Sequence, residues 1–183
     1  MKYTYNYPRP AVTVDSIIFR FNKANKSIEV LLIQRKAAPY KGQWAFPGGF
    51  ANENEDLVCA ATRELKEETG LTKVQLLSLP PVGTPGRDPR GHVITCPFVG
   101  TTKSKKKLSA KDDAKALAWW NIEKLPKLAF DHKEIINSAF LAVTQTMIEG
   151  MITKEKGAFN DILAQRSFSL AFLNNTRSKT IKQ

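Results

Sequence analysis

A glycine pair followed by one acidic helical segment places the strongest constraint on the fold of this chain. The segment spans residues 48–71 and reads GGFANENEDLVCAATRELKEETGL. Its apolar residues recur at the i, i+4 and i+8 positions of one helical face: Leu57, Ala61 and Leu65. Gly70 follows as a stop signal, so the pattern predicts a helix from Asp56 to Thr69.

The segment also concentrates negative charge in a basic chain. It holds six of the 17 acidic residues, opposed only by Arg63 and Lys66, although the formal net charge of the chain is +11. Glu64, Glu67 and Glu68 stand at i, i+3 and i+4, so their carboxylates share one helix face. Like charges at this spacing repel, and a hard divalent cation removes that repulsion because it takes carboxylate oxygens as ligands. The alternative is a solvated acidic face balanced by the two basic residues.

The spacing around these glutamates resembles the Nudix box in every defined position. Five residues separate Gly49 from Glu55, and seven separate Glu55 from Arg63. Arg63 is then followed by Glu64, Leu65, any residue, Glu67, Glu68, any residue, Gly70 and Leu71. The box covers about 23 of the 183 residues. The order of strands and helices around it is also similar to the Nudix fold.

This resemblance implies a divalent-metal-dependent hydrolase that cleaves a diphosphate linked to another moiety, usually a nucleoside. It implies metal ligation, with one carboxylate as general base, by four residues: Gly49 through its carbonyl, Glu64, Glu67 and Glu68. Arg63 would orient the glutamates by ion pairing, and Glu55 would accept a hydrogen bond behind them. The implied cofactor is Mg²⁺ or Mn²⁺, which lowers the pKa of a bound water and neutralises phosphate oxygens.

Three further stretches resemble the ADP-ribose pyrophosphatase-like branch of the family. They are QWAFPGGF, PGRDPRGHVIT and DDAKALAWWNIEKLPKLAFDHKEII. The branch implies hydrolysis of ADP-ribose to AMP and ribose 5-phosphate. Two alternatives are an ADP-ribose-sensing transcriptional regulator and a Nudix hydrolase acting on a nucleoside triphosphate or a nucleotide sugar.

A regulator needs a DNA-binding module. The 33 residues 151–183 are short for a winged helix and show no helix-turn-helix pattern, so nucleic acid is not an expected partner. We expect a Nudix hydrolase domain over 1–150 and a helical, basic extension over 151–183. The expected partner is a nucleoside diphosphate derivative, and a homodimer is a further hypothesis.

Other side chains are candidates for binding the substrate or the metal. Three arginines could meet phosphate or ribose: Arg35 at a strand end, and Arg87 and Arg90 around a Pro-rich turn. Asp112 and Asp113 precede a strand where the Nudix fold can supply another ligand or base. For each of these positions a solvated or capping role is the alternative.

Several conspicuous residues receive a structural interpretation. The tryptophans are expected in the core: Trp44, Trp119 and Trp120. Cys59 and Cys96 lack metal or redox spacing and are expected as buried free thiols. His92 and His132 have no partner at ligand spacing and are assigned no chemistry. The alternation of Tyr3, Tyr5 and Tyr7 predicts an edge strand, for which a dimer interface is a further hypothesis.

The remaining segments predict an α/β (α+β) sandwich with a mixed sheet between helices. Strands are expected at 11–21 and 27–35 as an antiparallel pair, then in WAFPGGF, VQLLSL, HVITCPFVGTT and ALAWWNI. A second helix is expected over 131–150, capped by Asp131 and ended by Gly150. Hydrophobic residues make up 42% of the chain, but no apolar run reaches the roughly 18 residues of a spanning helix, so we expect a cytoplasmic protein without membrane contact.

Overall fold

The computed structural model describes residues 5–103 and 114–152. Its elements are β1 (Ala11–Asn22), β2 (Ser27–Arg35), β3 (Trp44–Ala45), β4 (Gly48–Phe50), α1 (Leu57–Thr69), β5 (Leu77–Ser78), β6 (Val93–Thr101), β7 (Ala114–Asn121) and α2 (His132–Ile152). The predicted order of strands, helix, strands and helix is confirmed. None of the helices in the described ranges is long and apolar enough to cross a membrane.

Strand β1 organises the sheet. Along one edge it pairs in parallel with β6, from Ala11 opposite Val93 to Phe19 opposite Thr101. The C-terminal part of β1 pairs antiparallel with β2, and its N-terminal part pairs antiparallel with β4. Strand β2 also pairs with β3 and β7, and β5 pairs with β6, which completes a mixed seven-stranded sheet in the described residues.

The two helices cover opposite faces of this sheet. Successive side chains of a strand point to opposite faces, and those of β1 divide accordingly. On one face they pack in clusters with α1: Val14 with Ala60 and Ala61, and Ile18 with Leu65. On the other face they pack in a cluster with α2: Ile17 and Phe19 with Ile135, Ile136 and Phe140. The predicted mixed sheet between helices is therefore confirmed.

Helix α1 has the predicted ends. The Asp56 carboxylate accepts the backbone N–H of Val58 at 2.9 Å, which caps the N-terminus. Gly70 adopts φ 74°, a left-handed conformation that favours glycine, and donates to the Lys66 carbonyl at 2.9 Å. These local signals fix where α1 begins and ends relative to β4.

The structure corrects three predicted elements. The second helix runs to Ile152, beyond Gly150 and across the expected domain boundary. The strand in VQLLSL is reduced to two residues. Tyr5 and Tyr7 lie outside any strand, with Tyr5 under the guanidinium of Arg9, whereas Tyr3 is outside the described residues.

The aromatic and cysteine predictions have mixed outcomes. Trp44 and Trp120 pack edge-to-face at 5.2 Å against the larger core cluster, as predicted. Trp119, half-buried like the other two tryptophans, packs against the core cluster of Ile18 and Leu65 and lies beneath the guanidinium of Arg20 at 4.2 Å. The prediction for Cys59 was wrong, because this residue is exposed on α1, and Cys96 is only partly buried. Cys59 stands two positions from both Leu57 and Ala61, so helical periodicity turns it away from the buried face.

Candidate active site

The glycine pair of β4 allows two close backbone approaches. Gly48 and Gly49 pair with Asp15 and Val14 of β1. A β-carbon at Gly48 would collide with the carbonyl oxygen of Val14, and one at Gly49 would lie 2.5 Å from Oε1 of Glu64. The backbone contact requires glycine at position 48, whereas a side chain at position 49 would displace the carboxylate of Glu64.

Arg63 holds three carboxylates on the solvent side of α1. Its Nε and Nη2 donate to the two oxygens of Glu55 at 2.7 and 2.8 Å. Its Nη1 donates to Glu64 at 2.7 Å and to Glu67 at 3.1 Å, and Nη2 also reaches the Phe50 carbonyl at 3.2 Å. This geometry fits the predicted orienting role of Arg63, since a planar guanidinium fixes carboxylates in direction as well as distance.

The pKa values around Arg63 reflect this crowding. Hydrogen bonds from Arg63, followed by one from the backbone of Asn52, lower the pKa of Glu55 to about 2. Hydrogen bonds to Glu55 and then Glu64 raise the pKa of Arg63. Burial raises the pKa of Glu64, whereas Arg63 lowers it, and the net direction is upward. With three carboxylates on one guanidinium, the cluster keeps an excess of negative charge.

Glu68 faces the glycine pair instead of Arg63. Only 5% of Glu68 is exposed, and its Oε2 accepts the backbone N–H of Gly48 at 2.8 Å. Carboxylates of Glu64 and Glu68 therefore flank Gly48–Gly49, and oxygen donors of this kind suit a hard divalent cation. In residues 5–103 and 114–152, no group of three or more His, Cys, Asp or Glu side chains already converges as a metal site. Shared metal ligation by the three glutamates thus stays a prediction.

A cavity of about 190 Å³ opens beside the glycine pair. Gly48, Gly49 and Glu68 form one part of its lining. All three predicted substrate-binding arginines also line it: Arg35, Arg87 and Arg90. The fold thus brings residues from β2, from the loop before β6 and from the box to one concave surface.

Arg35 and Arg90 both approach the ring of Phe130. The centre of the Arg35 guanidinium lies 4.9 Å from the ring centroid, and that of Arg90 lies 5.6 Å from it. Asp88 holds Arg90 through bonds to Nε and Nη2, the latter at 2.6 Å. Burial and then the charge of Arg90 lower the pKa of Arg35. Two neighbouring cations in a cavity favour an anionic ligand.

Arg87 has a different environment from Arg90. Its Nε and Nη2 donate to the Asp131 carboxylate at 2.8 and 2.6 Å, and only 5% of its side chain is exposed. Although burial alone would lower the pKa of Arg87, Asp131 raises it above its ordinary value. The Asp131 carboxylate, expected as a helix cap, therefore serves this ion pair. Asp112 and Asp113 lie outside the described residues.

His132, to which the sequence assigned no chemistry, lies in the wall of the cavity. Only 2% of it is exposed, its Nδ1 accepts the backbone N–H of Phe46 at 3.0 Å, and its ring stacks on that of Phe46. Its Nε2 lies 3.6 Å from Oδ1 of Asp15, whose other oxygen accepts Thr95 Oγ1 at 2.5 Å. Burial lowers the pKa of His132, although Asp15 opposes this. No sequence spacing links these residues, because their contacts are made by distant strands and loops.

The geometry of box, cavity and sheet agrees with the comparison with known families. The model of the NUDIX domain matches residues 9–139. The chain belongs to the NUDIX domain family, and the resemblance carried by the box is confirmed. Nudix hydrolases generally use divalent metals, in agreement with the oxygen donors beside the glycine pair.

Three relatives place the chain within the family. An ADP-ribose pyrophosphatase of Methanocaldococcus jannaschii is 46% identical over 130 residues, 71% of this chain and 73% of that protein. The ADPR responsive transcriptional repressor NtrR of Acinetobacter baylyi is 34% identical over 139 residues, 74% of this chain but 55% of the repressor. The crystal structure of the NUDIX domain of Shewanella oneidensis NrtR complexed with ADP ribose matches with a TM-score of 0.69 and 29% identity, over 75% of this chain and 90% of that domain.

Proposed function

We propose that this protein hydrolyses ADP-ribose to AMP and ribose 5-phosphate with Mg²⁺ or Mn²⁺. The observation that carries the proposal is that one cavity is lined both by Glu68 and the glycine pair and by Arg35 and Arg90. A diphosphate joined to two sugars needs metal-binding carboxylates at its phosphates and donors for the oxygens beyond them. The 46% identity to an ADP-ribose pyrophosphatase supports this substrate.

The side chains divide the chemistry among them. A metal held by Glu64, Glu67, Glu68 and the Gly49 carbonyl would neutralise phosphate oxygens and acidify water. Arg63 orients the carboxylates of Glu64 and Glu67. A carboxylate of the Nudix box accepts a proton from the attacking water. The water oxygen bonds to one phosphorus, and the bond from that phosphorus to the bridging oxygen breaks. Each product then carries one phosphate.

Arg35 and Arg90 are the proposed substrate contacts. Arg90 uses Nε and Nη2 for Asp88, and Arg35 uses Nε for the Pro39 carbonyl at 2.8 Å. Each arginine has further N–H groups with which to bind phosphate or ribose oxygens. The proposed role of Arg87 is indirect, because its side chain is only 5% exposed and is paired with Asp131, whereas that of Arg90 is 39% exposed.

A hydrolysis screen tests the proposed substrate. Wild-type protein would be incubated with ADP-ribose, NADH, dinucleoside polyphosphates, nucleotide sugars and oxidised guanine nucleotides, each with Mg²⁺ and with Mn²⁺. We expect the highest kcat/KM for ADP-ribose, with AMP and ribose 5-phosphate as the products separated by chromatography. If ADP-ribose stays intact while a nucleoside triphosphate is hydrolysed, the substrate is wrong and the family assignment survives.

The second candidate function is an ADP-ribose sensor that regulates transcription. The 34% identity to a repressor named as ADPR responsive favours it. An electrophoretic mobility shift with promoter DNA of the protein's own gene, with and without ADP-ribose, separates the two functions. A shift that ADP-ribose reverses, together with absent turnover, would replace the enzyme proposal.

The organisation of the whole protein is also a proposal. Residues 1–150 would form the hydrolase domain, with 151–183 as an appended segment, and the protein would act in the cytoplasm on a small-molecule substrate. Light scattering of the full chain tests the homodimer hypothesis. Activity of a truncation ending at Ile152, where α2 ends, tests the domain division.

A further inference from the structure

The first turn of α2 connects two loops of the site through side chains that the proposed chemistry leaves unused. We propose that Asp131 and His132 are positioning residues. His132 fixes the backbone of residues 46–49, and Asp131 fixes the arginine loop, defined as residues 84–91 (TPGRDPRG). The kinetic part of this inference rests on the proposed function, because it needs a substrate.

His132 is held by one hydrogen bond and by ring stacking. Nδ1 accepts the N–H of Phe46 at 3.0 Å, so this nitrogen carries no proton, and Nε2 lies 3.6 Å from Asp15. The ring also stacks on Phe46 with centroids 4.5 Å apart and planes inclined by 8°. Because His132 is buried, water cannot replace it as the acceptor for the Phe46 amide. The side chain thus sets where the chain enters the glycine pair.

The segment after Phe46 is held at consecutive residues. The Pro47 carbonyl accepts the N–H of Ser16 at 2.7 Å, and the Gly48 N–H donates to Glu68 at 2.8 Å. His132 provides the first anchor of this series and Glu68 the last. A displacement of about 1 Å at a reacting centre can reduce a rate on the order of 100-fold, so loss of the first anchor reaches the proposed metal site.

Asp131 anchors the arginine loop from the same turn of α2. The loop is braced internally, because Arg90 donates to Asp88 through its backbone N–H at 2.9 Å as well as through its guanidinium. The buried Arg87–Asp131 pair joins this braced loop to the helix. Arg87 therefore acts on the substrate through the position of Arg90.

The residue before this pair has a strained backbone. Phe130 adopts φ 52°, which is rare for a bulky side chain and persists only where surrounding contacts over-determine it. Its ring packs against Tyr40 with centroids 4.8 Å apart and faces Arg35 and Arg90. The contacts of Asp131 and His132 hold the backbone of Phe130 in this conformation. The Phe130 ring therefore stays against the guanidinium groups of Arg35 and Arg90.

A matched pair of substitutions tests His132. In His132→Asn the amide oxygen lies at about the position of Nδ1, whereas in His132→Gln the polar group lies at about the position of Nε2. We expect Gln to lower kcat by about 10-fold with KM within about twofold, and Asn to restore most of the lost rate. Any other order of the two variants overturns the positioning role.

Hydrogen exchange of the Phe46 amide gives a readout that needs neither metal nor substrate. In wild type this amide should exchange as slowly as that of Val30 in the core, and about 10-fold faster in His132→Gln. Rapid exchange in wild type would contradict the anchor even if a variant failed to fold. The measurement also remains valid if ADP-ribose proves not to be the substrate.

A double-mutant cycle tests Asp131 and Arg87. If Arg87 acts through Asp131, Arg87→Met, Asp131→Asn and the double variant should each raise KM by about five- to tenfold with kcat within about twofold, and the two effects should not add. A larger increase in KM for Arg87→Met than for Asp131→Asn would show that Arg87 contacts the substrate directly. That result would overturn the positioning role of Asp131. Arg20→Met and Glu29→Gln are the matched control, because this ion pair at 2.7 Å lies outside the cavity lining.

The double-mutant cycle tests the positioning role even if the proposed function is wrong. If wild type binds ADP-ribose without hydrolysing it, dissociation constants from calorimetry replace KM, and the same non-additivity is expected. If the screen identifies another substrate, the cycle is measured with that compound. Additive effects in either case contradict the inference, whereas the hydrolysis screen alone decides the substrate.

Discussion

Arg63 and Arg87 both bind carboxylates through two nitrogens, yet their surroundings differ in charge and exposure. Arg63 is 27% exposed and contacts three glutamates, so its cluster keeps negative charge that a cation can neutralise. Arg87 is 5% exposed and contacts one aspartate, so its pair is locally neutral. The comparison shows two uses of an arginine–carboxylate contact. Where carboxylates are in excess, the cluster can attract a cation, and where the charges balance, the pair holds two segments of the chain together.

The largest effect should come from breaking the neutral pair. Asp131→Ala leaves the buried Arg87 guanidinium without its partner, and uncompensated buried charges cost about 3–5 kcal/mol. We expect the free energy of unfolding, measured with urea, to fall by about 3 kcal/mol. Glu55→Ala on the exposed cluster is the control and should cost far less. Equal losses in the two variants would remove the distinction between the regions.

Next in size is the loss of a carboxylate from the charged cluster. Glu67→Gln should lower kcat by at least about 100-fold if Glu67 binds metal, while the fold stays intact. Without metal its melting temperature should equal or exceed that of wild type, because one like charge is removed. Full turnover of this variant at saturating Mg²⁺ would sink the metal assignment.

Replacing Arg63 by lysine should impair the protein although the positive charge is kept. Lysine cannot reproduce the fork through which Arg63 reaches three carboxylates, so Arg63→Lys should weaken Mn²⁺ binding by about 10-fold or more and reduce activity. Calorimetric titration with Mn²⁺ measures this. An unchanged titration would mean that Arg63 does not orient metal ligands.

Arg90 is 39% exposed, more than either Arg63 or Arg87, and it should show an effect on substrate binding. Arg90→Ala should raise KM for ADP-ribose by about 10-fold, equivalent to roughly 1.4 kcal/mol of binding, with kcat less affected. Arg20→Ala is the control, because Arg20 also lies on an aromatic ring and pairs with a carboxylate but is remote from the cavity. The same KM in both variants would exclude Arg90 as a substrate contact.

The smallest effect concerns acid stability of the exposed cluster. The folded state lowers the pKa of Glu55 from 4.5 to about 2, so Glu55 contributes stability above pH 4.5 that is lost as the pH falls toward 2. Between pH 5 and 3 the melting temperature of wild type should therefore fall slightly more than that of Glu55→Gln. High salt should shrink the difference, since the Glu55 and Arg63 side chains are partly exposed, at 15% and 27%. A steeper fall in the variant would reverse the sign and contradict the ion pair.

The sequence by itself determined the acidic helix and which of its carboxylates share a face. The ends of α1 follow from Asp56 and Gly70, and the shared face of the glutamates follows from helical periodicity. These features are readable because they depend on residues within a few positions of one another, where backbone geometry fixes the spacing.

Tertiary structure alone decided which polar groups became partners. His132 accepts from Phe46 across 86 residues, and Arg87 meets Asp131 across 44. A helix-cap signal at Asp131 and a solitary histidine beside it contain no information about these partners. A buried donor or acceptor must be satisfied by whichever element the sheet order brings next to it, and that order is set by the packing of the whole domain. The arrangement of the polar groups around the cavity was therefore decided by long-range packing, whereas the shared face of Glu64, Glu67 and Glu68 was decided by local spacing.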